Sequence, residues 1–244
     1  MNLISSLLNL IYPPRCPVCL DFLAAAPDSE DPLSSFCAAC LSGFHEISSP
    51  LCPCCGTPFP GEGPDHLCEP CLRKAPAFDA LRAPYLYEGA LMTAIHRLKY
   101  GGKSSLAHVL GPLLARFALG WLEARDPLVM PVPLHPRKLR ERGFNQSLLL
   151  ARHVARALDA KLDFTTLCRV RYTKPQTGLD REERRRNVVR AFEVRGKDSL
   201  KGLDILLVDD VATTGNTLGE CAGVLKRRGA GRVFCLVLAR AVRP

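Results

Sequence analysis

ILLVDDVATTGNT, at residues 205–217, is the most informative run in this chain of 244 residues. Four large apolar residues in a row are typical of a strand that is buried on both faces of a parallel sheet. Asp209 and Asp210 then end the apolar run, a polar turn rich in threonine follows, and a helical pattern begins at about Leu218. The run therefore predicts an α/β fold with a ligand site beyond the carboxyl end of this strand.

The polar turn has the chemistry of a phosphate site. Backbone N–H groups of residues 212–217 can converge on a phosphate, Gly215 allows close approach, and the N-terminus of the next helix favours negative charge. The carboxylates of Asp209 and Asp210 can accept hydrogen bonds from ribose hydroxyls or hold the waters around Mg²⁺. A loop whose Asp and Thr only cap a helix is the alternative, and it leaves the paired carboxylates unexplained. The predicted sugar-phosphate site consists of Asp209, Asp210, Ala212, Thr213, Thr214, Gly215, Asn216 and Thr217.

The same run resembles the phosphoribosyl-pyrophosphate (PRPP) signature of type I phosphoribosyltransferases. In that family four hydrophobic residues, two acidic residues and a T-T-G-x-T loop follow one another, and every one of these positions is matched here. The resemblance implies that the eight residues bind PRPP together with Mg²⁺. A P-loop nucleotide site is disfavoured because the chain contains no G-x-x-x-x-G-K-[ST] string.

Two basic segments are the next candidates for contacts with the ligand. A short strand over residues 129–134 precedes a basic loop, HPRKLRERGFNQ (135–146), and then a helix to about Leu158. The resemblance implies that a loop in this position contacts pyrophosphate through Arg137, Lys138, Arg140 and Arg142. Residues 169–192 read as a mobile flap over the site, with Lys174, Gln176 and Arg184 as candidates for contacts with PRPP. In both segments, the alternative is a charged loop that only faces solvent.

Nine of the twelve cysteines lie in residues 16–71, and eight of them form four Cys-x-x-Cys pairs. Two intervening residues let both sulfurs of a tight turn reach one Zn²⁺, and the gaps between the pairs suit Cys₄ ribbons. Disulfides and a redox motif are disfavoured, because no export signal is recognised and the motif occurs four times in succession. We predict two structural zinc ions, with sequential pairing favoured over a cross-braced arrangement and Cys54 as a bystander. The predicted ligands are Cys16, Cys19, Cys37, Cys40, Cys52, Cys55, Cys68 and Cys71.

Charge is distributed unevenly along the chain. Residues 1–78 carry a formal charge of −5, whereas the remainder carries +14, with the excess between Arg137 and Lys197. A basic surface attracts polyanions such as nucleic acid or a pyrophosphate-bearing substrate, although a solvated face without a partner would look the same. No apolar run approaches the length of a transmembrane helix, and residues 1–11 lack the features of a signal peptide. We therefore expect a cytoplasmic protein without a transmembrane segment.

Taken over nearly its full length, the chain resembles the ComF family, which joins a double zinc ribbon to a phosphoribosyltransferase-like domain. The resemblance implies a zinc-ribbon domain over residues 1–76 and a type I phosphoribosyltransferase-like domain, a parallel sheet flanked by helices, over residues 77–244. It also implies PRPP binding, handling of incoming single-stranded DNA in natural transformation, and a competence helicase as partner. Besides the run at 205–217, the matching segments are YPPRCPVC (12–19), CPCCG (52–56), LKYGGK (98–103), VPLHPRKLRERGFNQ (132–146) and TKPQTGLDREERRRNVVRAF (173–192).

Three functions are compatible with this sequence. The first is a protein that handles single-stranded DNA and binds PRPP as a ligand or regulator, although aromatic residues for base stacking are few and scattered. The second is an active phosphoribosyltransferase, which would transfer ribose 5-phosphate from Mg²⁺-bound PRPP to an acceptor and release pyrophosphate. The third is a sensor of PRPP or nucleotides. No general base and no base-recognition segment are legible, so no catalytic residue is assigned.

Overall fold

The computed structural model describes residues 12–24, 31–100, 102–122, 126–172, 190–196 and 200–242. Within these ranges the strands are β1 (Ala80–Arg82), β2 (Tyr85–Leu86), β3 (Leu128–Pro131), β4 (Leu167–Arg169), β5 (Phe192–Val194), β6 (Ile205–Ala212) and β7 (Val233–Arg240). The α-helices are α1 (Ala38–Leu41), α2 (Glu69–Arg73), α3 (Gly89–Tyr100), α4 (Ala107–Trp121), α5 (Pro136–Arg142), α6 (Gln146–Ala157) and α7 (Asn216–Arg227). Short 3-10 helices span Pro32–Ser35 and Ser104–Leu106. Over the described ranges, none of the helices combines the length and the apolarity that crossing a membrane requires.

A parallel sheet of five strands organises the fold. Its order is β1–β7–β6–β3, and β2 also pairs with β7, farther along that strand than β1. Because β6 lies between β7 and β3, its apolar residues are shielded from solvent on both faces, as the four-residue run predicts. The prolines near the end of β3 agree with its position at the edge of the sheet. β4 and β5 form a separate antiparallel pair.

Each face of the sheet has its own apolar core. Leu206 and Val208 point into a core that is filled mainly by α3, α4 and α6. Ile205 and Leu207 point into the opposite core, which α7 and the β4–β5 pair cover. The fold is therefore a mostly parallel sheet with flanking helices, as the sequence predicts.

The cysteine-rich half packs directly on this sheet. Residues around the first two Cys-x-x-Cys pairs belong to the core of α3, α4 and α6, whereas the last two pairs belong to the core of α7. Backbone hydrogen bonds join the halves, including one from the Leu81 N–H to the Cys54 carbonyl at 2.8 Å. Gly56 has φ +64°, and a Cβ there would lie 2.5 Å from the Leu81 carbonyl oxygen, so this approach requires glycine. The domain boundary between residues 76 and 77 stays a prediction.

Two sequence-based expectations about local structure were wrong. Burial does not stop where the apolar run ends at the carboxylates, because Asp210 is itself buried and β6 continues through Asp209 and Asp210 to Ala212, paired with β7. The basic segment expected as a loop contains the helix α5. His135 accepts a hydrogen bond from the Arg137 N–H at its start, and Gly143 ends it with φ +84°.

Candidate functional site

A cleft of about 440 Å³ lies at the carboxyl ends of the central strands. Parallel strands meet with their carboxyl ends at one edge of the sheet, which is where open α/β sheets bind ligands. All eight residues that the sequence predicts for the sugar-phosphate site line this cleft: Asp209, Asp210, Ala212, Thr213, Thr214, Gly215, Asn216 and Thr217. The geometry thus brings the carboxylate pair and the threonine-rich turn into one cavity.

The two carboxylates have different environments. Asp210 is buried, and its Oδ2 lies 2.8 Å from Nζ of Lys99, which α3 contributes. Asp209 Oδ1 accepts hydrogen bonds from the Ser147 hydroxyl at 2.6 Å and from the Asp210 N–H at 2.9 Å. Asp210 therefore faces a cation, whereas Asp209 is oriented by neutral donors.

These environments also shift the protonation of the pair. Burial, together with the adjacent Asp210 carboxylate, raises the pKa of Asp209 to about 7, although Ser147 and Lys99 act against that rise. Burial alone would lower the pKa of Lys99, but the attraction of Asp210 outweighs it, so the pKa is raised and the ammonium is retained. The charge of Asp209 therefore changes near neutral pH.

The turn after β6 leads into α7 through a glycine with a left-handed backbone. Gly215 has φ +74° and caps α7, and its carbonyl accepts a hydrogen bond from the Gly219 N–H at 2.8 Å. The side-chain amide nitrogen of Asn216 is buried and has no acceptor among the residues that the structure describes.

The basic residues predicted to contact pyrophosphate divide into two groups. Lys138 and Arg142 line the cleft, whereas Arg137 and Arg140 lie on the exposed side of α5 and do not. Glu141 pairs with Arg137 at 3.1 Å and with Lys138 at 2.8 Å. The flap candidates Lys174, Gln176 and Arg184 lie outside the described residues.

Sequence reasoning missed several polar residues in the wall of the cleft, among them Lys99, Ser147 and Arg169. A signal for Lys99 existed, because it follows Leu98 on the apolar flank of α3, where a lysine needs a partner. Ser147 lies in the first turn of α6, whose N-cap Asn145 accepts a hydrogen bond from the Ser147 N–H at 3.0 Å. Nothing in the local sequence marks Arg169, which β4 places there.

Eight cysteines form two clusters in the predicted sequential pairing. The first cluster is Cys16, Cys19, Cys37 and Cys40, and the second cluster is Cys52, Cys55, Cys68 and Cys71. In each cluster the four sulfurs lie within 4.8 Å of one another, and Cys54 belongs to neither. Four convergent sulfurs without an open position fit a structural zinc ion. Among the cysteines outside residues 16–71, Cys221 and Cys235 are buried, whereas Cys168 is partly exposed.

Comparison with known proteins agrees with this two-part architecture. Residues 7–75 match the double zinc ribbon domain family, and residues 145–243 match the phosphoribosyl transferase domain family. "DNA utilization protein YhgH" of Salmonella typhimurium is 38% identical over 208 residues, which cover 82% of this chain and 88% of that protein. "Competence protein F" of Haemophilus influenzae is 30% identical, with 84% and 96% covered. "Competence protein ComFC" of Bacillus subtilis is 26% identical, with 86% and 85% covered.

Proposed function

The chain belongs to the ComF family, and on that premise we propose that its cleft binds PRPP with Mg²⁺ and that the protein handles single-stranded DNA during DNA uptake. The observation that carries the PRPP proposal is the meeting of a carboxylate pair and a threonine-rich turn in one cleft. A ribose that bears a 5-phosphate needs both features. Its hydroxyl groups need hydrogen-bond acceptors on one side, and its phosphate needs N–H and O–H donors on the other.

Each part of the cleft has a role in this proposal. Asp209 and Asp210 accept hydrogen bonds from the ribose hydroxyls and hold waters around the Mg²⁺ that accompanies the ligand. The turn at residues 213–217 takes the 5-phosphate. Lys138 and Arg142 line the cleft at the start of α5 and at its end, where their cations attract the pyrophosphate group. Arg137 and Arg140 do not line the cleft, so this proposal gives them no contact with pyrophosphate. Their exposed cations can instead attract another polyanion.

The raised pKa of Asp209 predicts how PRPP binding depends on pH. The ionised carboxylate is the form that accepts from two hydroxyls, and it gains a proton as pH falls through about 7. We expect the affinity for Mg²⁺-PRPP to fall by about tenfold between pH 8 and pH 6. Calorimetric titration at these pH values measures this change.

The matched control for this pH series is Asp209→Asn. The ligand's own phosphates titrate in the same range, and the variant retains that contribution while losing the contribution of the protein. We expect a flatter profile for the variant. Profiles that are parallel in both proteins would contradict the role given to Asp209.

Aromatic rings paired with cations support the handling of single-stranded DNA. Arg137 lies over the ring of Tyr172 at 4.8 Å, and Arg142 lies over the ring of Tyr100 at 5.3 Å. Tyr100 is 68% exposed and belongs to the wall of the cleft. Bases stack on such rings while neighbouring cations attract the phosphates. The aromatic residues that look scattered in sequence are thus brought together beside α5.

Relatives are named for competence and DNA utilization, and we further propose a competence helicase as partner.

Binding of DNA can be separated from binding of PRPP by mutating Tyr172, which lies outside the wall of the cleft. We expect Tyr172→Ala to weaken binding of an oligothymidylate by about tenfold, because one stacking partner is lost. The affinity for PRPP should be unchanged. Fluorescence anisotropy with a labelled oligonucleotide measures this effect, and Phe164→Ala removes a more exposed ring elsewhere as a control.

The salt dependence of the same assay tests the basic face of α5. Arg140→Ala should reduce the slope of log affinity against log salt by about one unit, because one phosphate contact is lost. A signal for the wild-type protein that does not change with salt would contradict electrostatic binding of DNA at this face.

Transfer of ribose 5-phosphate to an acceptor is the alternative use of the same cleft. Pyrophosphate release from PRPP with a panel of nucleobases would support it, and silence across the panel would count against it.

The two clusters of reduced thiols fit the cytoplasmic location that we propose.

A further inference from the structure

A buried arginine joins the second cysteine cluster to the turn that we assign to the 5-phosphate. Arg240 ends β7, lies opposite Ala212 of β6, and is 6% exposed. Its Nη1 donates to the Thr213 carbonyl at 2.7 Å, and its Nη2 donates to the Thr57 hydroxyl at 3.0 Å. The Thr57 oxygen lies 3.2 Å from the sulfur of Cys55, which is a member of the second cluster. Three consecutive contacts thus lead from a cluster sulfur to the backbone of the turn.

The directions of these hydrogen bonds are fixed by their donors. Because the Thr57 oxygen accepts from Arg240, its own hydrogen is available to the Cys55 sulfur. A guanidinium only donates, so Arg240 holds two acceptors, one on each side. A change in position at Cys55 is therefore transmitted to the Thr213 carbonyl through one hydroxyl and one rigid planar group.

The charge of Arg240 gives a second reason for the link. In the part of the chain that the structure describes, no carboxylate lies within 4 Å of this buried cation, and the two oxygens that accept its hydrogen bonds are neutral. A buried charge is costly unless an opposite charge compensates it. Four thiolates around one divalent zinc leave a net negative charge, and the second cluster lies two contacts away. A zinc-loaded second cluster therefore stabilises Arg240 in the position from which it holds the turn.

The first cluster has no such connection. Its buried cysteines, Cys16 and Cys40, pack in the core of α3, α4 and α6, on the other face of the sheet from the second cluster. None of the contacts described for its cysteines reaches the turn at residues 213–217. The two clusters have the same set of four cysteine ligands, but the contacts described here connect the second cluster to the turn and not the first.

We propose that Thr57 and Arg240 are positioning residues that couple metal retention at the second cluster to ligand binding in the cleft. Zinc at the second cluster holds the turn in its binding shape, and a ligand bound on the turn makes that zinc harder to remove. Such coupling is reciprocal, since each site changes the other's affinity by the same factor. This inference rests on the proposed binding of PRPP.

Metal release in the presence of a chelator tests the coupling in the full-length, zinc-loaded protein. In the wild type at equilibrium with the chelator, we expect Mg²⁺-PRPP to raise the affinity for one of the two zinc ions by about fivefold and to leave that for the other unchanged. Thr57→Val removes the hydroxyl at nearly constant volume, so PRPP should bind about fivefold more weakly and the protection of zinc should disappear. Thr57→Ser keeps the hydroxyl and should restore both effects. Thr93→Val, on the exposed side of α3, is the control.

The outcomes separate this inference from the proposal on which it rests. PRPP that binds to the wild type without protecting either zinc ion would overturn the coupling and leave the proposed function intact. Equal affinity of Thr57→Val and the wild type for PRPP would also overturn it. Absence of PRPP binding to the wild type would overturn the proposed function and this inference with it.

Discussion

Asp209→Asn is expected to weaken the binding of Mg²⁺-PRPP by about 100-fold, because two charge-assisted hydrogen bonds to the ribose hydroxyls are lost. The fold should tolerate the change. The Asn side-chain oxygen can still accept from the Ser147 hydroxyl and the Asp210 N–H, as Asp209 Oδ1 does. Calorimetric titration of PRPP in the presence of Mg²⁺ measures the affinity, and thermal unfolding measures the stability.

The change in stability that Asp209→Asn causes has a predictable direction. The pKa of Asp209 is raised in the folded protein, so the folded state binds a proton more tightly than the unfolded state does. Stability from this group is present at low pH and is lost as pH rises through about 7. An uncharged asparagine avoids that loss, and the unfolding temperature at pH 8 should be equal to that of the wild type or higher. A large decrease would contradict the environment described for Asp209.

Asp210→Asn should differ from its neighbour in stability. Asp210 is the partner of Lys99 in the interior, and removing one member of a buried ion pair leaves the other charge uncompensated. We expect a loss of about 3–5 kcal/mol in the free energy of unfolding, in addition to weaker binding of PRPP. Asp204→Asn is the matched control for both variants. It removes a carboxylate that precedes β6 at the opposite end of the strand, where Arg232 pairs with it at 2.6 Å, and it should bind PRPP normally.

Loss of the metal at the first cluster is expected to destabilise the whole chain. Cys16 is fully buried in the same core as α3, α4 and α6, so the cluster and the sheet share their apolar contacts. We expect Cys16→Ser to lower the metal content from two zinc ions per chain to one and the unfolding temperature by about 10 °C or more. Thermal unfolding should remain a single transition, because the cysteine-rich half shares the apolar cores of the sheet and does not unfold independently of it.

Metal analysis and differential scanning calorimetry measure these two effects. The control is Cys54→Ser, since Cys54 lies in the cysteine-rich half but belongs to neither cluster. It should retain two zinc ions. A Cys16→Ser protein whose main transition stays at the wild-type temperature would show that the ribbon and the sheet are independent, in contradiction to the shared core.

The core of the site could be predicted from the sequence because it is local. Residues 205–217 supply the central strand, both carboxylates and the threonine-rich turn. Each of these can be recognised from the order of its residues alone, without knowledge of the tertiary structure. Lys99, Ser147 and Arg169 come from three other elements, so only the folded sheet brings them to Asp209 and Asp210. The spacing of the cysteines likewise predicted two clusters but could not show that they cover opposite faces of the sheet.

The helix α5 illustrates a signal that hydrophobic periodicity does not carry. None of its residues is buried, so its sequence has no apolar pattern at helical spacing and reads as a charged loop. The capping residues did carry a signal. Pro136 follows an N-cap at the start, and Gly143 follows the last helical residue, which is the usual asymmetry of helix ends.

Calorimetric titration of PRPP into the zinc-loaded, full-length protein is the decisive measurement for PRPP binding. We expect one ligand per chain, with binding that requires Mg²⁺ and that Asp209→Asn weakens about 100-fold. Absence of binding by the wild type at PRPP concentrations up to about 1 mM would contradict the assignment of this cleft to a ribose 5-phosphate.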